Sequence, residues 1–277
     1  MSAFNKRVLV VQPSMSGGTF QALYFDRLTN ELYPDVCLIG TNGEYLFSTN
    51  SLRLKGADVE PGASIGIVWG DSQVFGAGRS GWPEAMNSWS RGCTFLNGGI
   101  EGVNHQVVLN RAQIFNLDFK QDYHICVNIL VPGIHDVGSN ATFSKDLMRA
   151  VDHLPNLILG TMPTSLNPNI VDRDLSPFMA QGVAGGDERY GFFGGDPYSV
   201  SRQRLIYSHL VERNSMIRAV AEERGIPLLD LFATFETKSI DDFRDNFCDI
   251  THPRPRAYPA FAAAAFTAVS ELRSRTA

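Results

Sequence analysis

No run of more than two basic residues occurs in this chain, and Asp plus Glu outnumber Lys plus Arg by 29 to 24. The formal charge of −5 argues against a nucleic-acid partner, whose binders carry a basic face. Long apolar stretches are missing too. The longest, AFAAAAFTAV at 260–269, falls well short of the roughly 18 to 20 residues that cross a bilayer. VLVV near the start is too short for a signal-peptide core. No membrane contact is therefore expected, and the chain reads as cytoplasmic. Cysteine is scarce and unclustered: Cys37, Cys93, Cys126 and Cys248 form no CxxC pair. The first three sit in or beside apolar runs, where a free thiol behaves as a small buried hydrophobe in a reducing compartment. No metal-ligand cluster stands out, and no cofactor is implied.

What remains is an ordinary globular composition, 44% hydrophobic and 19% charged over 277 residues, with ample core. From residue 64 onward, short apolar runs alternate with amphipathic stretches. Strands are expected at 64–70, 93–97, 123–131, 156–162 and 226–232. Their near-continuous apolar character suits a parallel sheet covered on both faces. Helices are expected at 143–154 and at 199–225, the latter closed by Gly225 with Pro227 beyond. The pattern predicts a three-layer α/β/α, flavodoxin-like domain over 61–277 with five parallel strands. Residues 1–60 read as a β-rich extension docking on that core, with a tight hairpin at Asn42-Gly43. Residues 163–198 form a long Gly- and aromatic-rich insertion, of a length usual for a functional or mobile loop.

Two motifs compete in GIVWGDSQVFGAGRSG, residues 66–81. Gly76 to Gly81 spells GxGxxG, a dinucleotide cradle. Its first glycine should stand at the strand end, but it comes about six residues late. The next strand should close on an acidic residue for a ribose and closes on Asn97 instead. A GxSxG match at 62–66 precedes a strand rather than following one, the reverse of a nucleophile elbow. Gly70-Asp71-Ser72 with Gly76 spells GDSxxxG and puts Ser72 just past a central strand, where open α/β sheets hold their ligands.

A serine nucleophile needs a base. Of the six histidines, His124, His153 and His209 fall in a strand or helices, where packing or surface roles are expected. His252 stands in DITHP, three residues after Asp249, on a segment broken by Pro253 and Pro255. Asp249 can curl back to accept the Nδ1–H of His252 and leave Nε2 free as base, although alone the segment reads equally as an exposed turn. NGGIEG at 97–102 offers glycine amides for an oxyanion, and GIHD at 133–136 puts His135 at a third strand end. These loops converge on one edge of the sheet, which favours attack by Ser72 over a nucleotide cradle.

The four ordered blocks, GDSxxxG, NGGIEG, GIHD and DITHP, resemble those of the SGNH (GDSL-type) hydrolase superfamily over roughly residues 64–270. The resemblance implies Ser72 as nucleophile, Asp249 as orienter and His252 as base. It implies an oxyanion hole of the Ser72 amide, the Gly99 amide and the third-block side chain, here His135 in place of the family's Asn. Asp71, Asn97, Tyr190 and Phe192 are expected to contact substrate. The implied activity is hydrolysis of a small acyl or carbohydrate O-acyl ester through a Ser72-acyl intermediate. Acyl transfer to a sugar hydroxyl and a non-catalytic binding module stay open beside it. Nothing in the sequence sets the oligomeric state.

Overall fold

The computed structural model describes residues 6–11, 21–41, 43–76, 80–134, 140–175, 199–234, 237 and 239–276. Five short strands precede residue 50: β1 (Arg7–Val11), β2 (Phe25–Asp26), β3 (Glu31–Leu32), β4 (Val36–Gly40) and β5 (Tyr45–Ser48). β4 pairs parallel with β1 and antiparallel with β5, and β2 and β3 form a separate ribbon. The β4–β5 hairpin turns where Asn42-Gly43 predicts it; Gly43 takes φ 80°, and Asn42 lies outside the described residues.

The main sheet follows. Its chain order is β6 (Ser64–Trp69), α1 (Ser72–Phe75), α2 (Trp82–Ala85), β7 (Thr94–Asn97), α3 (His105–Phe119), β8 (His124–Leu130), α4 (Asn140–His153), β9 (Leu157–Gly160), α5 (Val200–Arg224), β10 (Leu228–Leu229), α6 (Leu231–Thr234), α7 (Ile240–Asn246) and α8 (Tyr258–Thr276). The strands lie in the order β10-β9-β8-β6-β7, all parallel. Helices α3, α4 and α5 pack in sequence, with α3 against β6 and α5 against β9, while α8 packs with α2 and α6 and covers β9 and β10. This is the expected three-layer α/β/α architecture. β6 and β9 are buried along nearly their whole length, as strands covered on both faces must be.

Local chemistry accounts for the element ends. The Ser199 side chain accepts the Arg202 N–H at the start of α5, and Gly225, at φ 62°, closes it. β10 is shorter than the 226–232 run predicts. Asp230 accepts the Ala233 N–H at 3.2 Å and so starts α6 directly after the strand.

One finding alters the sequence-based expectations. Cys93 and Cys126 are joined as a disulfide rather than standing as buried free thiols, while Cys37 and Cys248 are free. The two paired residues lie beside β7 and within β8, the strands flanking β6, so the polypeptide brings together thiols 33 residues apart. The insertion at 163–198 is described through residue 175, and the rest lies outside the described residues. Among the described residues, no helix is long and apolar enough to cross a membrane.

The sheet interior holds one polar knot. Asn128 on β8 is 0% exposed, yet its side chain accepts from Trp69 Nε1 at 2.9 Å and from Asn116 Nδ2 at 3.1 Å. It donates to Asn116 Oδ1 at 3.0 Å and to the Pro155 carbonyl at 2.8 Å. Every hydrogen-bonding position of the amide is filled, which is the condition for burying it. Asn128→Leu strands the Trp69 N–H and the Asn116 amide, and should cost about 2 kcal/mol or more. A lowered urea midpoint with an unchanged m value is the expected result.

Candidate active site

β6 lies between β7 and β8, so the connections leaving its carboxyl end and theirs part to opposite sides. Such a switch point opens a crevice at the strand ends. The chain leaves β6 through Gly70 and Asp71 and turns at once into α1. Asp71 is the N-cap: Oδ1 accepts the Gln73 N–H at 2.9 Å. Its other oxygen, Oδ2, accepts the Ile134 N–H at 2.8 Å, which ties the loop after β8 to the loop after β6. Ser72 is the first residue of α1 and is 1% exposed.

Ser72 Oγ lies 2.7 Å from His252 Nε2, and His252 Nδ1 lies 2.7 Å from Asp249 Oδ2. Asp249 Oδ1 accepts the backbone N–H of Thr251 at 2.8 Å and of His252 at 2.9 Å. Both carboxylate oxygens are therefore held, and the imidazole is aimed by a turn that its own loop builds. Gln73, directly after the serine, fixes that loop from the other side. Its Nε2 donates to the carbonyls of Thr251 at 2.9 Å and Pro163 at 2.6 Å. Thr164 Oγ1 donates to the Ile250 carbonyl at 2.6 Å and completes the clamp. The sequence shows no sign of the Gln73 role, because both acceptors are backbone carbonyls far along the chain.

The electrostatics fit this geometry. Burial works against a charged His252, but the charge and hydrogen bond of Asp249, with the charges of Asp71 and Glu101, outweigh it and raise the imidazole above its ordinary value. Burial also raises Asp249, yet the His252 charge and hydrogen bond, with the two backbone N–H groups, outweigh that and hold it below the usual carboxylate value.

Several residues expected at the substrate sit elsewhere. Asp71 and Asn97 are 0% exposed and face inward. Asp71 is occupied as described. Asn97 Nδ2 donates to the Val74 carbonyl at 2.9 Å and to Glu84 at 3.1 Å, and its Oδ1 accepts the Gly99 N–H at 2.9 Å. That bond also corrects the expected role of Gly99, whose amide is directed to Asn97 and not to a substrate. Gly102, at the other end of the same loop, is exposed at φ 70°. Neither its N–H nor that of Ser72 has an acceptor among the described residues. The loop lies against the serine turn, since the Ile100 N–H donates to the Gly70 carbonyl at 3.0 Å. His135, Tyr190 and Phe192 lie outside the described residues.

The nucleotide motif receives no support from its glycines. Gly76, at φ 71°, is the C-cap of α1, and a side chain there would meet the Gly81 Cα at 2.5 Å. Gly76 and Gly81 thus lie directly against each other. Among the described residues, no group of three or more His, Cys, Asp or Glu could hold a metal ion. A cavity of about 530 Å³ bounded by Tyr123, His124 and Asn156 lies at the amino ends of β8 and β9, the far end of the sheet from Ser72.

No protein-family model matches the chain, and no curated protein matches it. Solved structures do. A lipase/acylhydrolase from Enterococcus faecalis is 15% identical at a TM-score of 0.51, covering 76% of this chain and 96% of its own. A variant of an acetyl xylan esterase from Geobacillus stearothermophilus is 14% identical at 0.51, covering 76% and 97%. A putative GDSL-like lipase from Parabacteroides merdae is 15% identical at 0.51, covering 76% and 98%. The α/β/α fold is thus the one these proteins share.

The His252–Asp249 pair has a signature in stability. A group whose pKa is lowered on folding stabilises above its unfolded value, and one whose pKa is raised stabilises below it. The pair should therefore contribute fully between about 3.8 and 6.5, the ordinary values of the two groups. Its contribution should be lost as pH falls toward about 2, and again as pH rises through the raised imidazole value. Urea midpoints measured across pH should show both losses in the wild type and a flatter profile in Asp249→Asn. Identical profiles would contradict the coupling.

Proposed function

We propose that this protein is a serine hydrolase of the SGNH (GDSL) type that cleaves a carboxylic ester through a Ser72-acyl intermediate. The observation that carries this reading is the unbroken line of 2.7 Å contacts from Ser72 Oγ to His252 to Asp249. It stands at the carboxyl end of the central strand, in a fold shared with proteins described as lipases and an acetyl xylan esterase.

In this reading Ser72 Oγ attacks the ester carbonyl as His252 Nε2 takes its proton, and Asp249 stabilises the imidazolium that forms. The negative charge that develops on the carbonyl oxygen is met by backbone N–H groups. The unpaired amides of Ser72 and Gly102 are the candidates, with His135 as a side-chain donor. His252 then protonates the leaving alcohol, and the acyl group stays on Ser72. A water molecule, deprotonated by the same nitrogen, releases the acid. The chemistry needs no metal or cofactor. Small acyl esters and carbohydrate O-acyl esters are the substrate classes put forward.

Ser72→Ala should abolish both hydrolysis of p-nitrophenyl acetate and labelling by a fluorophosphonate, with the urea midpoint little changed. His252→Ala should fall similarly low, and Asp249→Asn less so, because such residues act as a unit. A Ser72→Ala variant that keeps most of its rate would remove the serine from the mechanism. For the third donor, His135→Ala should cost roughly 10²- to 10³-fold in turnover, the usual loss for one oxyanion contact. His135→Asn should retain much of the rate. Two variants indistinguishable from wild type would take His135 out of the site.

A further inference from the structure

One buried carboxylate on the loop that packs against the serine turn has no part in the mechanism above. Glu101 lies in the 97–102 loop, is 5% exposed, and sits close enough to His252 for their charges to interact. Its Oε2 accepts the phenol O–H of Tyr24 at 2.5 Å. Its Oε1 is buried with no hydrogen-bond partner among the described residues.

Tyr24 comes from the N-terminal segment, which reaches the site by a defined route. Lys55 and Asn97 exchange both backbone hydrogen bonds at 2.9 Å, which docks the segment on the outer end of edge strand β7. The buried Lys55 ammonium donates to the Phe75 carbonyl at the end of α1 and stands over the Phe75 and Phe47 rings, 3.7 and 4.5 Å from their centroids. The Tyr24 ring stacks on Phe75 at 5.4 Å and meets Phe47 edge-on at 5.1 Å. Gln21 Nε2 donates to the Glu101 carbonyl at 3.4 Å. The helix that starts with Ser72 and the loop that ends with Gly102 are thus both gripped by residues 21–55.

We propose that Tyr24 and Glu101 form a positioning pair for the catalytic centre, in which the N-terminal segment holds the 97–102 loop against the serine turn and keeps a further carboxylate near His252. This rests on the serine-hydrolase reading. The chemistry follows from charge. His252 becomes cationic as it accepts the Ser72 proton, and a fixed negative group nearby stabilises that state more than the neutral one. Burial holds the Glu101 pKa above its ordinary value, and the Tyr24 hydrogen bond with the charges of Lys55 and His252 offsets part of that rise in favour of the ionised form. Among the described residues, the charged groups that act on His252 include Asp249 on its own loop, Asp71 after β6 and Glu101 after β7. Those facing Glu101 are Tyr24, Lys55 and His252, and Lys55 in turn faces Glu84.

A purely structural fastening would change stability and leave the pH dependence of the serine alone. The test is the rate of fluorophosphonate labelling at Ser72 against pH, in the full chain and in Glu101→Gln and Tyr24→Phe, alongside an NMR titration of the His252 imidazole. Glu101→Gln keeps size and removes charge; Tyr24→Phe keeps both ring contacts and removes the donor. In each variant the acid limb of labelling and the His252 titration should move to lower pH, further in Glu101→Gln. The maximal rate should fall about tenfold or more, as a displaced amide loop misaligns the site. Wild-type labelling, acid limb and His252 titration in both variants would overturn the proposal. Failure of the wild type to label at Ser72 would defeat the hydrolase reading. In that event the His252 titration still decides whether the pair acts on the imidazole.

Discussion

The Asp71 carboxylate, fully enclosed, accepts one backbone N–H from each of two loops. One bond starts the helix that presents Ser72, and the other anchors the loop after β8 against it. Charge-assisted bonds of this kind are worth roughly 1.5 to 3 kcal/mol each, and breaking them would leave one buried and one part-buried N–H group unpaired. The same charge faces His252. The relative placement of the Ser72 turn and the loop after β8 thus depends on a single enclosed side chain. A carboxylate read from the sequence as a contact for substrate is instead the joint between loops.

Most of the fold was legible because it rests on local pattern. The apolar runs at 64–70, 93–97, 123–131 and 156–162 became strands within a residue or two at most ends, and Ser199 and Gly225 bracket the long helix as their chemistry dictates. The contact between Ser72 and His252 spans 180 positions, and motif order alone suggested it. The Gly99 assignment failed for a physical reason. In NGGIEG either glycine could offer an amide, and the choice is made by the neighbouring Asn97 side chain folding back onto one of them. The disulfide was missed because Cys93 and Cys126 come together only through the strand order β7-β6-β8. The pairing of Tyr24 with Glu101 leaves no trace in composition or periodicity, since it joins an early loop to a late one.

Among the described residues around the serine, the charged groups are mostly negative: buried Asp71, Glu101 and Asp249 and half-buried Glu84, against Lys55 and His252. Such a field favours a cationic imidazole and disfavours an oxyanion. Any oxyanion formed in this setting would have to be met locally, by N–H groups a hydrogen bond away, because the more distant field opposes it. Lys55 is the partial counterweight. Burial lowers its pKa, and Glu84 and Glu101 raise it, leaving it at about 8.

The sheet order has a further consequence during synthesis of the chain. Strands β6 to β9 and the serine turn are complete by residue 160, whereas the Asp249–His252 loop that anchors on Gln73 and Thr164 arrives much later. A chain emerging from the ribosome can form four strands of its parallel sheet, with Ser72 in place, before the imidazole that meets it has been made. The Ser72 hydroxyl is then without its His252 contact until the later segments have folded back onto the first helix of the core.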